Sequence, residues 1–443
     1  MTASPDTYPS KPWRILVIAG IVELALLGTL GWWPGATFPW MGLLIFGGAF
    51  AAYALGASQV LNTRGGRLYI WGIAIAMRLV LLPLTPELSD DIYRYLWDGQ
   101  VQLAFINPYR YAPAAAELSE IRTVYHGLIN NPGVPTIYPP LAQLAFLAIA
   151  LAGGAIFQAK LLWLGLDLGT AWLLGRVASI TGRSRRLTQL LYLWSPLLVV
   201  EVAWSGHLEP LGLFALVLVI LLARAPMGAG AAAALATLTK FVPLVAVPAL
   251  TRRLGLRFLV GFVATVALLY APYVLAGRGL FAGLTTYAEN WSFMKGPFTL
   301  LEAVMPGPLS ARYAAGALVL GVVAWTTWQR YRPERALFWI LGAGMILTPT
   351  LHPWYVLWIL PLAALSANRT WILMTGLSFL GYFGLATFQD TGEWPQPVLV
   401  RLLLWVPFLV LLAMDAAKLW HERVPVATQL TERRATPRSP PGA

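Results

Sequence analysis

Apolar runs alternate with short polar breaks from one end of the chain to the other. Most runs approach the roughly 17–25 residues that a helix needs to cross about 30 Å of hydrocarbon. Spans are expected near 13–32, 38–58 and 68–84, and then near 187–204, 209–223, 256–276, 311–328, 336–349, 354–367, 370–387 and 397–417. The pattern predicts an all-α polytopic integral membrane protein of about 12–13 transmembrane helices plus half-helices. Two places break the rhythm. Stretches 140–153 and 158–178 flank Gly153-Gly154 and Lys160. Two full crossings there would place Arg183, Arg185 and Arg186 on the acid-rich face, so a partial insertion followed by one crossing is expected. Residues 227–250 have basic residues at both ends and Lys240 in the middle. They are too few to cross twice, which predicts two half-helices meeting inside the membrane. The first run ends in Gly31-Trp32-Trp33 rather than at a small-residue cleavage site, so it reads as a retained span.

Composition and charge fix the orientation. The chain has 443 residues, 58% hydrophobic and 11% charged, which excludes an ordinary soluble domain. Its net charge of +12 is not spread evenly. Basic residues such as Arg64, Arg67, Arg183, Arg252 and Arg332 gather on one set of loops, while acids gather on the other. That is the positive-inside bias, so the excess orients the protein in a plasma (inner) membrane and does not call for nucleic acid. Both termini are expected in the cytoplasm. Residues 1–66 read as a tail with two additional helices, 67–417 as the membrane body, and 418–443 as a basic, Pro-rich, disordered cytoplasmic tail. There is no Cys, so disulfides and thiolate–metal sites are excluded.

The long external loop 85–138 exceeds the usual length of a structureless connection. It opens with ELSDDIYRYLWDGQVQLAFINPYRY, over Glu87 to Tyr111, polar and aromatic in an oily chain. Ser89, Asp90 and Asp91 sit where a helix begins and would serve as caps on the bland reading. Their place at a membrane–water boundary also suits chemistry on a lipid-borne substrate. His126, His207 and His352 fall in external segments with the acidic pair. His207 and Glu209 could together hold a divalent cation, although two ligands without a third leave metal dependence open. Lys240, alone in an apolar segment, is a functional candidate unless it snorkels to an interface, and Arg78 in the third span follows the same logic.

The ordered series of acidic pair, NPYRY, IYPPL, WSGHLEP, TLTKFVP and TLHPWYVLW, over roughly Arg67 to Leu412, resembles the GT-C superfamily of membrane glycosyltransferases. Within it, the series looks like the bacterial polyprenyl-phosphate-mannose-dependent mannosyltransferases. The resemblance implies a GT-C-like fold with juxtamembrane helices in the catalytic loop. It also implies an inverting enzyme that uses a polyprenyl-phosphate sugar on the external side. The family's catalytic Asp opens the first external loop a few residues before a Tyr, which in DIYRY falls on Asp91, with Asp90 beside it. Glu209 stands where the family pattern often has Asp, and the two spans before Arg64 lie outside its core pattern.

The chemistry suits the residues. An acceptor hydroxyl attacking an anomeric carbon needs a base for its proton, and a carboxylate can serve while cations or His stabilise the leaving phosphate. Asp91 is the expected base and Asp90 its helper. Lys240, His352, His207, Glu209, Arg94, Tyr138, His126 and Arg78 form the candidate substrate-binding set. The expected activity is transfer of a hexose, with mannose leading, to an external glycan, lipid or protein acceptor. A transporter or flippase of a lipid-linked saccharide is the rival, but transporters often carry repeated halves and ionisable residues on several spans. A polysaccharide polymerase is a third alternative.

Overall fold

The computed structural model of the chain describes residues 11–33, 39–63 and 65–435, with side chains described at all of these except 39 and 419–435. Arg64 and most of the expected N-terminal tail lie outside the described residues. The helices run α1 (Lys11–Trp32), α2 (Pro39–Gln59), α3 (Arg67–Leu81), α4 (Asp91–Leu103), α5 (Pro140–Leu151), α6 (Ile156–Ile180), α7 (Arg185–Leu193), α8 (Pro196–Val199), α9 (Glu209–Leu221) and α10 (Pro226–Thr237). They continue with α11 (Val247–Leu254), α12 (Leu256–Tyr270), α13 (Ala282–Asn290), α14 (Phe298–Val304), α15 (Pro308–Gln329), α16 (Pro333–Leu347), α17 (Leu360–Ser366), α18 (Arg369–Leu377), α19 (Leu385–Thr391) and α20 (Val398–Ala435). No multi-residue strand occurs among the described residues, where the single β-bridge joins Phe293 to Thr350.

Local chemistry sets many of these boundaries. Pro stands in the first turn of α5, α9, α10, α15 and α16, where its missing N–H costs no helical bond. Ser184 and Asn368 cap α7 and α18 through their side-chain oxygens. Close crossings use glycine: a Cβ on Gly230 of α10 would lie 1.9 Å from the Phe258 carbonyl of α12, and one on Gly261 would lie 2.1 Å from the Met227 carbonyl.

The protein is an all-α, multi-pass membrane protein. Among the described residues, seven helices are long and apolar enough to cross the bilayer singly, and α7 with the segment Pro196–Trp204 makes an eighth, bent by 52°. The remaining expected crossings are built from shorter pieces, because the apolar runs are interrupted. The 209–223 run forms only the 13 residues of α9. The run near 256–276, itself one of the seven, leaves the α-helix at Tyr270 and continues as a 3₁₀ segment kinked at Gly277. As expected, 140–178 forms a short helix and then a long one, and 227–250 breaks around Lys240 between α10 and a short 3₁₀ turn before α11. One boundary moves: α20 continues through the segment read as a disordered tail as far as Ala435, and 436–443 lie outside the described residues. The two N-terminal helices pack on the body. Trp32 donates to the Val80 carbonyl, Tyr53 donates to the Leu191 carbonyl, and Phe46 stacks on Phe379 with ring centroids 3.7 Å apart.

Candidate active site

α4 begins where the acidic pair predicts a helix. The Asp91 amide donates to Ser89 Oγ at 3.3 Å, so serine caps the first turn. Asp90 occupies the N-cap position without a side-chain cap bond, leaving its carboxylate free to line the adjoining cavity. α4 stops at Leu103, short of Asn107-Pro108, and the chain reverses through the exposed Phe105 at φ 57°. Asn107 Oδ1 then accepts the Tyr109 amide, and Tyr109 donates its hydroxyl to the Tyr138 carbonyl, tying NPYRY to IYPPL. Arg94 lines the cavity while anchoring its floor: it pairs with Asp98 at 2.9 Å and donates to the Val134 carbonyl.

Asp91 is bonded on one side and faced by an imidazole on the other. Asn130 Nδ2 donates to Oδ1 at 3.2 Å, and His207 Nδ1 lies 3.7 Å from Oδ2. His207 reaches this position through Gly206, whose φ is +73° and whose added Cβ would lie 2.5 Å from Ile92. Beyond His207, Nε2 is 3.4 Å from Glu201 Oε2, and Glu201 Oε1 accepts the Tyr382 hydroxyl at 2.7 Å. Trp354 stacks on His207 at 4.1 Å and on His352 at 4.5 Å, and Phe293 covers His352 at 4.6 Å. The strand-like exchange between Phe293 and residues 349–351 holds these two loops in register.

Lys240 projects from the break after α10. Its Nζ bonds Glu209 Oε1 at 2.5 Å and lies 5.1 Å from the centre of the Tyr355 ring, whose hydroxyl meets that of Tyr287. The cavity measures about 370 Å³ and is bounded by Asp90, Asp91, Arg94, Tyr138, Lys240 and His352 together with aromatic side chains. Burial raises the pKa of Asp91, while Lys240 and hydrogen bonds from Asn130 and Tyr138 oppose the rise. Asp90 is raised by burial and then by Asp91. Burial and Lys240 hold His352 down at about 3, and burial holds His207 well below the ordinary imidazole value. Near neutral pH both imidazoles are therefore neutral donors or acceptors, not the cations that phosphate stabilisation would favour.

The expected set thus divides. Six members line the cavity, whereas His207 and Glu209 stand directly behind Asp91 and Lys240. His207 and Glu209 do not converge as a metal pair: each faces a different partner, and among the described residues no three His, Asp or Glu side chains form a metal-binding group. Arg78 lies away from the cavity, committed to Asp167 at 2.6 Å and to the Ala74 and Leu193 carbonyls. His126 binds the Pro113 carbonyl and packs on Trp97. Lys240 differs from the expectation of a cation awaiting a ligand, since Glu209 already neutralises it. Glu201, Asn130, Tyr287 and Tyr355 are additions. Glu201 opens the EVAWSGHLEP segment and could have been noticed as a carboxylate in an apolar run; Asn130 carries no comparable signal.

Two family models match the chain. Residues 19–254 match the alpha-(1->6)-mannopyranosyltransferase N-terminal domain, and residues 296–414 match the MptB C-terminal domain. No curated protein and no solved structure gives a match.

Proposed function

The chain belongs to the alpha-(1->6)-mannopyranosyltransferase family, and on that premise we propose that it transfers mannose from a polyprenyl phosphate to a primary hydroxyl of an external mannose-containing glycan. The observation that carries the proposal is one cavity faced by both a partly buried Asp91 and Lys240. In a single displacement, the acceptor oxygen forms its bond to the anomeric carbon as the carbon–oxygen bond to phosphate breaks. The phosphate leaves with that electron pair and Asp91 takes the hydroxyl proton. One inversion giving an α product requires a β-linked donor, and no sugar–enzyme intermediate is formed.

Each neighbour has a role. Asn130 fixes the Asp91 carboxylate, and His207 stands beside it within reach of a proton. Glu201, anchored by Tyr382, stands at the far side of the imidazole, the arrangement in which a base is oriented by a second group. Lys240 exchanges part of its contact with Glu209 for the donor phosphate, adding charge stabilisation where negative charge develops. Asp90, Arg94, Tyr138 and His352 bind around the sugar. The charge asymmetry supports a plasma-membrane enzyme with this cavity on the external face and both termini inside.

The test uses purified protein in proteoliposomes with labelled mannosyl phosphoryl polyprenol and a 1→6-linked mannan acceptor. Label entering the acceptor supports transfer. Label that changes leaflet while remaining on the lipid makes the protein a flippase, and use of a nucleotide-linked mannose in place of the lipid removes the proposed donor. Sidedness has its own test, because the chain lacks native Cys. In intact cells, Ser89→Cys should react with an impermeant reagent and Ser184→Cys should not; the reverse pattern would invert the topology.

A further inference from the structure

The opposite end of the bundle contains a second cavity. α16 connects the two ends: beyond Leu347 it leads to the loop carrying His352, while its start at Pro333 lies about 22 Å away along a 15-residue helix. At that start is a cavity of about 570 Å³ bordered by Arg183, Arg330, Arg332 and Arg335. These arginines come from the α6–α7 connection, the α15–α16 connection and the first turn of α16. Among the described residues, the only carboxylate in the lining is Glu334, and it accepts from Arg332 Nε at 3.0 Å.

Among the described residues, no ion pair neutralises the other guanidinium groups. Arg183 donates to the Leu365 carbonyl, and Arg335 lies 4.2 Å from the centre of the Tyr331 ring. Arg330 ends α15 in the left-handed region at φ 50°, uncommon for a side chain other than glycine. Most of the remaining wall is apolar, made by Phe338, Trp339, Leu362 and Leu365, with Ser366 the polar member beside them. Orientation by the positive-inside effect needs arginines on this face, but it needs neither their convergence on one cavity nor an apolar wall beside them.

We propose that this cavity binds the phosphate headgroup of an anionic phospholipid, with the start of an acyl chain lying against Phe338 and Trp339. Guanidinium groups suit phosphate because they offer paired, charge-assisted hydrogen bonds, and basic recesses between membrane helices are known sites for such headgroups. The proposal is independent of the role assigned to Asp91.

The test compares wild type with the Arg330→Asn/Arg335→Gln double variant in nanodiscs of phosphatidylcholine alone, phosphatidylcholine with phosphatidylglycerol, and phosphatidylcholine with added inorganic phosphate. Melting temperature and retained lipid, measured by native mass spectrometry, are the readouts. Phosphatidylglycerol should raise the wild-type melting temperature and be retained, and retention should fall roughly tenfold or more in the double variant, as for the loss of at least one charge-assisted contact. The two proteins should melt alike in phosphatidylcholine. Equal wild-type melting with and without phosphatidylglycerol would overturn the proposal, as would full retention by the double variant. A gain from inorganic phosphate equal to that from phosphatidylglycerol would overturn the lipid assignment. Should the double variant not fold, Arg330→Asn alone serves at this exposed position, with a partial loss expected and an unchanged gain contradicting the proposal.

Discussion

Arg78 and Lys240 pose the same problem in the sequence, since each is a lone cation within an apolar run. Each is met by a distant carboxylate: Asp167, 89 positions from Arg78, and Glu209, 31 positions from Lys240. The solutions then diverge. Both side chains of the Arg78–Asp167 pair are fully enclosed, and backbone carbonyls from two helices take further guanidinium protons. Lys240 keeps 14% of its side chain open, on the wall of the cavity that Asp91 also faces. A sealed pair holds helices together, and an open pair can exchange a partner for a ligand. Burial of charge therefore does not by itself identify a site; the path from the charge to a cavity does.

That contrast can be broken in order of expected effect. Arg78→Met should destabilise the protein by about 3–5 kcal/mol, the usual cost of leaving one buried partner uncompensated. Denaturant unfolding in a fixed lipid or detergent mixture checks this, and an unchanged midpoint would mean that the sealed pair does not hold the fold. Lys240→Met leaves the enclosed Glu209 without its partner, so it should also cost stability, but less than Arg78→Met because the carboxyl beside the cavity can take up a proton. It should weaken donor use by about 1.5–3 kcal/mol, the range for a hydrogen bond to a charged group. Steady-state kinetics against the polyprenyl-phosphate sugar reads that difference, and the acceptor KM should barely move. Lys240→Arg should restore only part of the loss, because the fork-shaped guanidinium does not reproduce a compact ammonium.

The pH profile sharpens the same comparison. As a base, Asp91 works only when deprotonated, and its raised pKa puts the acid limb of kcat/KM above the ordinary carboxylate range. Lys240 opposes that rise, so Lys240→Met should carry the limb to still higher pH; a shift to lower pH would contradict the coupling. The smallest effect is expected at His126, which is outside the cavity and bound to the Pro113 carbonyl. His126→Ala should cost only about 0.5–1.5 kcal/mol of stability, as for a neutral hydrogen bond, with donor KM unchanged. A raised donor KM would bring His126 into the substrate-binding set.

Much of the scaffold was legible because its signals are local. Apolar length located α1, α2, α6, α15 and the membrane part of α20, and two opposing demands predicted the break at Lys240: too few residues to cross twice, and basic residues at both ends. The start of α4 followed from Ser89 and Asp91. Partners across long separations were not legible. No local pattern tells that Asn130 will meet Asp91, that Glu201 will stand behind His207, or that Asp167 will occupy Arg78. The apolar runs were also easier to locate than their interruptions, since a π-type turn over Val200–Trp204 and the kink at Gly277 depend on tertiary packing and backbone geometry.

The central claim concerns Asp91 as the base in the cavity, and the direct measurement is single-turnover transfer of labelled mannose from its polyprenyl phosphate by wild type, Asp91→Asn and Asp90→Asn. Asp91→Asn should melt near wild type, still bind donor, and transfer at least about 10²-fold more slowly, the scale of losing a positioned general base. Asp90→Asn should fall much less. Near-normal turnover by Asp91→Asn would remove that residue from the mechanism, and a larger loss in Asp90→Asn would assign the base to its neighbour.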